Sequence, residues 1–342
     1  MIKCVIWDLD DTLLDGVYLE SPERPPPVNA ALLALLAELA GRGIVHAIAS
    51  RNPPAAGAYA EEVTGHVFAA VRCGWDVKSA AVGAIMADLG VAADAVAFVD
   101  NDALERAEVA FAFPDVLVLA PQEMADAANW PAFSPPVLTD EARRRGEFYA
   151  NRRARLAEAR AFGGSREAFL RHCQTRVVIA PAVLADLPRL HELSVRTHQF
   201  NSAGAELTQA QFAGLLGSPR QRVVCVRLSD RFGDDGLVGG CVIDTATAPA
   251  DRWEVRLLMM SCRAIGRGVI DALLSWICLA ADGAGVGQVG VACVINPRNV
   301  PLRIALTGAG FRTEAPSAQA GSAHYIRRLI PPLPELPDWV VA

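Results

Sequence analysis

Two rhythms of hydrophobicity divide this chain. Up to about residue 135, short apolar runs alternate with stretches of helical spacing; from about residue 174, strand-like runs follow one another directly. The first rhythm predicts strands over 3–7, 44–49, 95–99 and 116–119, with helices over 29–42, 79–89 and 103–112. Strands apolar along their whole length and separated by helices belong to a parallel sheet covered on both faces. The second rhythm predicts strands over 176–179, 223–228, 237–243 and 254–260, with a hairpin loop at 231–236. A helix over 269–281, a strand over 288–294, another helix and a last strand over 324–329 follow. That order describes a mixed α/β domain around an antiparallel meander. Residues 143–171 between the two halves hold nine arginines against three glutamates and read as one or two linker helices.

At 342 residues the chain is long enough for two domains. With 52% hydrophobic and 20% charged residues, it is not a largely disordered chain. A net charge of -6 argues against general nucleic-acid binding. No apolar run reaches the roughly 18–20 residues of a membrane span. The N-terminus leads straight into an acidic cluster, unlike a cleavable signal peptide. Eight cysteines are scattered without a Cys-x-x-Cys pair, which argues against a disulfide framework or a structural zinc site. A cytoplasmic protein is expected.

Asp8-Leu9-Asp10-Asp11-Thr12 follows the first strand directly. In an open parallel sheet ligands collect at the carboxyl ends of strands, where this segment places two carboxylates. One can attack phosphorus while the other handles a proton, with Mg²⁺ screening the repulsion between carboxylate and phosphate. Alternatively, the acidic residues cap a strand-to-helix turn. Ser50 with Asn52 after the next strand, Lys78 before a helix and Asp100-Asn101-Asp102 after a further strand complete a series.

In the second half, Ser261-Cys262-Arg263-Ala264-Ile265-Gly266-Arg267-Gly268 joins a strand to a helix. Glycines there let backbone N–H groups at the helix start approach a pyrophosphate, although R-x-x-G-x-G alone is as readily a turn. Cys262 is read either as a thiolate nucleophile that holds an acyl group or as a small buried hydrophobe. Cys73 is the reserve candidate. Arg196-Thr197-His198-Gln199-Phe200-Asn201 is a dense polar segment after a helical run, with His198 either a base or a surface histidine.

The first series, in this order, resembles the four motifs of the haloacid dehalogenase (HAD) phosphatases. The resemblance implies Asp8 as nucleophile and metal ligand, Asp10 as general acid/base, and Thr12 as a supporting hydrogen bonder. It further implies Ser50, Asn52 and Lys78 around the phosphoryl group, Asp8, Asp10 and Asp100 around Mg²⁺, and only a minimal cap. The second half, with Asn299, Pro301 and Gly308-Ala309-Gly310-Phe311, resembles the GNAT acyltransferase fold. There Arg263, Gly266, Arg267 and Gly268 would grip the phosphopantetheine of coenzyme A or of an acyl carrier protein.

Together, the blocks around Asp8, Asp100, Arg196–Asn201, Asp230–Asp234 and Met260–Gly268 resemble the FkbH-like glyceryltransferase/phosphatases of polyketide biosynthesis. That resemblance implies four segments: a HAD-like parallel-sheet domain (1–135), an Arg-rich helical linker (136–173), a GNAT-like mixed α/β domain (174–330) and a Pro-rich tail (331–342). It also implies loading of a glyceryl unit from 1,3-bisphosphoglycerate, through a cysteine thioester, onto an acyl carrier protein. Arg196, Gln199 and Asn201 would contact substrate, and His198 would be catalytic. The chain departs from the family at Asn101, where an aspartate is usual, and at Cys73-Gly74, where Ile-Asn is expected. A plain phosphatase, a non-catalytic carrier-binding module and a loader of another three-carbon acid such as lactyl stand as alternatives.

Overall fold

The computed structural model describes residues 1–20, 24–134, 144–197, 199–203, 206–246, 251–314 and 321–342. It divides into two compact units, Met1–Glu158 and Ala159–Ala342. The fold class is α/β, a parallel sheet followed by a mixed sheet. Among the described residues no helix is long and apolar enough to cross a membrane.

The first unit carries five strands: β1 (Cys4–Trp7), β2 (Val45–Ser50), β3 (Ala70–Cys73), β4 (Val96–Val99) and β5 (Leu117–Leu119). Their order is β3-β2-β1-β4-β5, every pair parallel. β1, β2 and β4 are buried along their whole length, as their unbroken apolar runs require. Alternate residues feed opposite cores. Val5 and Trp7 join Leu32, Leu36 and Leu39 of α1 (Ala30–Gly41), while Cys4 and Ile6 join Val82, Ile85 and Leu89 of α3 (Lys78–Leu89). Asn29 starts α1 by accepting from the Leu32 amide at 3.1 Å. Strand β3 and the helices α2 (Pro54–Thr64) and Pro121–Ala127 were not read from the sequence. Strand order reverses on either side of β1, so the crevice at the carboxyl ends opens beside Asp8.

The second unit is built on an eight-stranded sheet. Strands β6 (Arg176–Pro181), β7 (Gln221–Asp230), β8 (Gly233–Asp244) and β9 (Arg252–Met260) form an antiparallel meander. β10 (Gln288–Val294) is parallel to β9, and β12 (Ser322–Arg328) returns antiparallel, pairing with the two-residue β11 (Arg312–Thr313). The Pro-rich tail ends in β13 (Val340–Val341), which pairs with β6 and was not anticipated. One face of the sheet packs on helices Val269–Gly283 and Val300–Gly308, the other on Leu187–Arg196 and Gln209–Leu216.

β9 and β10 pair only over Arg252–Val255 and Gln288–Val291 and then part. The backbone of Phe200–Ser202 fills the gap. Met260 N donates to Phe200 O at 2.8 Å, Ser202 N to Leu258 O at 2.9 Å, and Val294 N to Ser202 O at 2.7 Å. The Arg-rich stretch forms two helices, Arg145–Ala161 and Arg166–His172; residues 136–143 of the expected linker lie outside the described residues.

Candidate active site

Asp8 is the first residue after β1, and the chain then turns tightly over Leu9–Leu13. Asp11 takes a left-handed φ of 48°, a conformation aspartate tolerates better than most residues. The turn brings Asp8 to the same place as Lys78, the first residue of α3, and Asp100, the first residue after β4. Lys78 Nζ donates to Asp8 Oδ1 at 2.5 Å, to Asp100 Oδ2 at 2.9 Å and to the Ala49 carbonyl at 2.9 Å. Glu105 Oε2 stands 3.0 Å from the same ammonium. All of this is enclosed: Lys78 is 2% exposed and Asp100 0%.

Removal from water dominates the electrostatics. Burial raises the Asp8 carboxyl above its ordinary value, against the lowering pull of Lys78. Asp100 is pushed up to about 7 by burial, again opposed by Lys78 and reinforced by the nearby Asp8 charge. For Lys78, burial acts to lower the pKa, but Asp8 and Asp100 outweigh it and carry it up to about 12. The ammonium therefore stays charged, while the carboxylates outnumber the cation that holds them.

The remaining predicted residues line the same crevice. Ser50, the last residue of β2, accepts from Asn52 Nδ2 at 3.1 Å, and Asn52 Nδ2 also donates to Asp10 Oδ2 at 2.9 Å. Asn52 Oδ1 is buried without a partner, an acceptor suited to a bound water or ligand donor. Thr12 Oγ1 donates to Asn101 Oδ1 at 3.3 Å and accepts from the Asn101 amide at 3.1 Å. Asn101, the departure in the fourth motif, thus ties the first motif to the fourth. Asp102 caps α4 (Ala103–Ala112) by accepting from Leu104 N at 2.7 Å.

Asp10 stands apart from the shared ammonium. Its carboxylate accepts from Tyr18 N and from Asn52, each at 2.9 Å, and does not share Lys78 with the other two. Among the described residues no three His, Cys, Asp or Glu side chains group around a possible ion. Asp8 and Asp100 nevertheless fit Mg²⁺, which is commonly held by one or two carboxylates with waters and substrate phosphate completing the shell. Glu105 was missed in the sequence. Its signal lay in its place one turn into the helix after Asp100, but only the packing of α4 beside α3 brings it to Lys78.

In the second unit the residues predicted to act together separate into three situations. Cys262 follows β9 in a short turn, Cys262–Ala264, and is partly exposed. Apart from Cys73 the other cysteines are buried. Burial pushes Cys73 up to about 11, which disfavours its thiolate. Helix Val269–Gly283 begins seven positions beyond Cys262, so the thiol is not at its N-terminus. Gly266 and Gly268 take left-handed φ values of 79° and 72°, which glycine alone adopts without strain.

Arg267 is turned into the fold. Its guanidinium is buried against Asp230, at 2.7 Å, and Asp235, two carboxylates on one cation inside the fold. Arg263 stays partly exposed beside Cys262. Arg196 pairs with the buried Glu192 at 3.5 Å on its own helix, rather than standing open for substrate. Gln199 is partly exposed, and His198 lies outside the described residues. Asn201 bridges to β9 opposite Met259 and lines a cavity of about 280 Å³ with Thr197, Ser194, Glu206 and Arg298.

No protein-family model and no curated protein matches the sequence. Among solved structures, the N-terminal part of protein BF1531 from Bacteroides fragilis, containing a phosphatase domain complexed with Mg, is 23% identical over 37% of this chain and 39% of that one, with a TM-score of 0.34. This chain therefore matches well under half of that N-terminal part. The GNAT domain of PAT from S. lividans is 20% identical over 44% and 89%, TM-score 0.37. An acetyltransferase from Thermus thermophilus is 21% identical over 45% and 97%, TM-score 0.37. These are likenesses only.

Proposed function

We propose that the chain is a bifunctional enzyme, a HAD-type phosphatase in its first unit and a GNAT-like acyltransferase in its second. The carrying observation is the single ammonium of Lys78 shared by Asp8 and Asp100 at the carboxyl ends of adjacent parallel strands. In this reading the Asp8 carboxylate attacks the phosphorus of a phosphate monoester, and Lys78 and Ser50 hold the phosphoryl oxygens. Asp10, steadied by Asn52 and Tyr18 N, gives its proton to the departing alkoxide. It then takes a proton from the water that cleaves the aspartyl phosphate and restores Asp8. Asp8 and Asp100 would hold Mg²⁺, whose positive charge would let a carboxylate approach a phosphate.

In the second unit Cys262 attacks the acyl carbon of an acyl phosphate. The carbon–oxygen bond breaks, inorganic phosphate leaves, and an enzyme thioester remains for exchange with the thiol of a carrier's phosphopantetheine arm. The combination suits 1,3-bisphosphoglycerate, whose acyl phosphate is activated toward a thiol while its phosphate monoester needs hydrolysis. The product is then a glyceryl thioester on an acyl carrier protein. The partial exposure of Cys262 among buried cysteines supports this assignment. One observation favours the plain phosphatase instead: Arg267, expected at the carrier's phosphate, is paired within the fold.

Phosphate release from a simple monoester tests the first half. The wild type should release it only with Mg²⁺, and Asp8→Asn should not. Release that survives Asp8→Asn would reject the assignment.

A further inference from the structure

Arg51 stands at the junction of Ser50 and Asn52, in the turn that supplies the phosphatase crevice with its hydroxyl and its amide. Its side chain is 57% exposed, and its one ion pair among the described residues is to Glu105 Oε1 at 3.5 Å, too long for a hydrogen bond. The other oxygen of the same carboxylate contacts Lys78. Glu105 therefore tethers a guanidinium at the mouth to the ammonium on the floor. The two cations are no further apart than two ion-pair lengths and the width of a carboxylate.

An exposed pair of this kind contributes little to folding. Glu108, which accepts from the Ser79 amide at 2.9 Å, is a second carboxylate within electrostatic reach of Arg51. Arg106, the neighbouring cation on α4, is committed to the carbonyl oxygens of Asp100 and Asn101 at 2.7 and 2.8 Å. Arg51 thus offers a planar fork of donors beside the position of the transferred phosphoryl group. That geometry suits a carboxylate or a second phosphate, which a guanidinium can bind with two parallel hydrogen bonds.

We propose that Arg51, steadied by Glu105, forms a second anion subsite, so that the Asp8 centre selects small phosphate monoesters bearing another acidic group a few bonds away. This rests on the phosphatase reading and deepens it by naming the substrate class. Glu105 acts here as a positioning residue, holding Arg51 and Lys78 at a fixed spacing.

The test compares 3-phosphoglycerate with glycerol 3-phosphate, which keeps the phosphate but lacks the acid, using the full chain with Mg²⁺. Wild type should favour 3-phosphoglycerate by at least about tenfold in kcat/KM, a single charge-assisted contact being worth ~1.5–3 kcal/mol. In Arg51→Met that ratio should collapse toward one, mainly through KM, and Arg51→Lys should restore part of it. Glu105→Gln should also lower the ratio. A wild-type ratio near one, or a ratio unmoved in Arg51→Met, overturns the subsite. Equal losses on both substrates overturn it as well and assign Arg51 to the transferred phosphoryl group. Calorimetric titration of Asp8→Asn with both compounds, with and without Arg51→Met, separates the two claims. Selective binding without wild-type turnover would sink the phosphatase and keep the subsite; turnover with unselective binding would do the reverse.

Discussion

Lys78 and Arg267 are both buried cations that touch at least two carboxylates, one in each unit, yet their surroundings differ. Lys78 faces Asp8, Asp100 and Glu105, so negative charge exceeds positive around it, and burial raises the Asp8 and Asp100 carboxyls above their ordinary values. Arg267 meets Asp230 at the end of β7 and Asp235 near the start of β8. Around Lys78 the carboxylates, the partnerless Asn52 Oδ1 and the strand ends all open on one crevice. Carboxylates outnumber the cation in both clusters; the Lys78 cluster is set apart by its place at the carboxyl ends of parallel strands, where ligands collect. Arg267 instead rivets a hairpin to the loop that leads into helix Val269–Gly283.

The comparison breaks most readily at Asp8. Asp8→Asn should lower phosphate release by about 10³-fold or more, as removal of a nucleophile does, while leaving a folded protein by circular dichroism. Full activity in that variant would make the Lys78 cluster structural after all. Arg267→Met should show the opposite profile. Leaving Asp230 and Asp235 buried without their partner should cost about 3–5 kcal/mol in denaturant unfolding of the second unit, with phosphate release retained by the folded protein. A stable Arg267→Met that fails only in carrier binding would return Arg267 to the ligand.

A smaller effect separates the two accessible thiols. With iodoacetamide at pH 8, peptide mapping should find Cys262 alkylated at least about tenfold faster than Cys73, whose thiol is raised by burial and is mostly protonated there. Equal labelling would reopen Cys73 as the nucleophile.

The smallest effect concerns the second unit away from either site. His324 Nε2 lies 2.7 Å from Glu254 and Nδ1 3.1 Å from Glu314, and its pKa is raised by the Glu254 hydrogen bond against the lowering effect of burial. A raised folded-state value means the pair stabilises the fold fully below the ordinary histidine value of 6.5. That contribution is lost as pH rises through the folded-state pKa. Stability of this unit should fall from pH 6 to pH 8, and Glu254→Gln should flatten the slope. An unchanged slope in Glu254→Gln would remove His324 from the explanation.

What could be read beforehand followed local pattern. Continuous apolar runs located β1, β2 and β4, and the helix over 103–112 and the strand over 288–294 match the structure residue for residue. β3 escaped because it carries Arg72 and is only partly buried. The last strand pair escaped because β13 forms only two residues against β6 after a Pro-rich stretch. Asp8, Ser50, Lys78 and Asp100 were legible because each sits at the end of a strand or the start of a helix. Glu105 and Arg51 were not, since their pairing depends on how α4 packs. Arg267 was misread for the same reason, its partners lying 32 and 37 residues away on a hairpin that had the appearance of an exposed loop.

Intact-protein mass spectrometry after incubation with 1,3-bisphosphoglycerate and Mg²⁺ tests the division of labour most directly. Wild type should gain a glyceryl mass, Cys262→Ala should gain none, and Asp8→Asn should retain the heavier phosphoglyceryl adduct. An adduct that persists in Cys262→Ala, or no adduct on any variant, would contradict the assignment of acyl transfer to Cys262 and phosphate removal to Asp8.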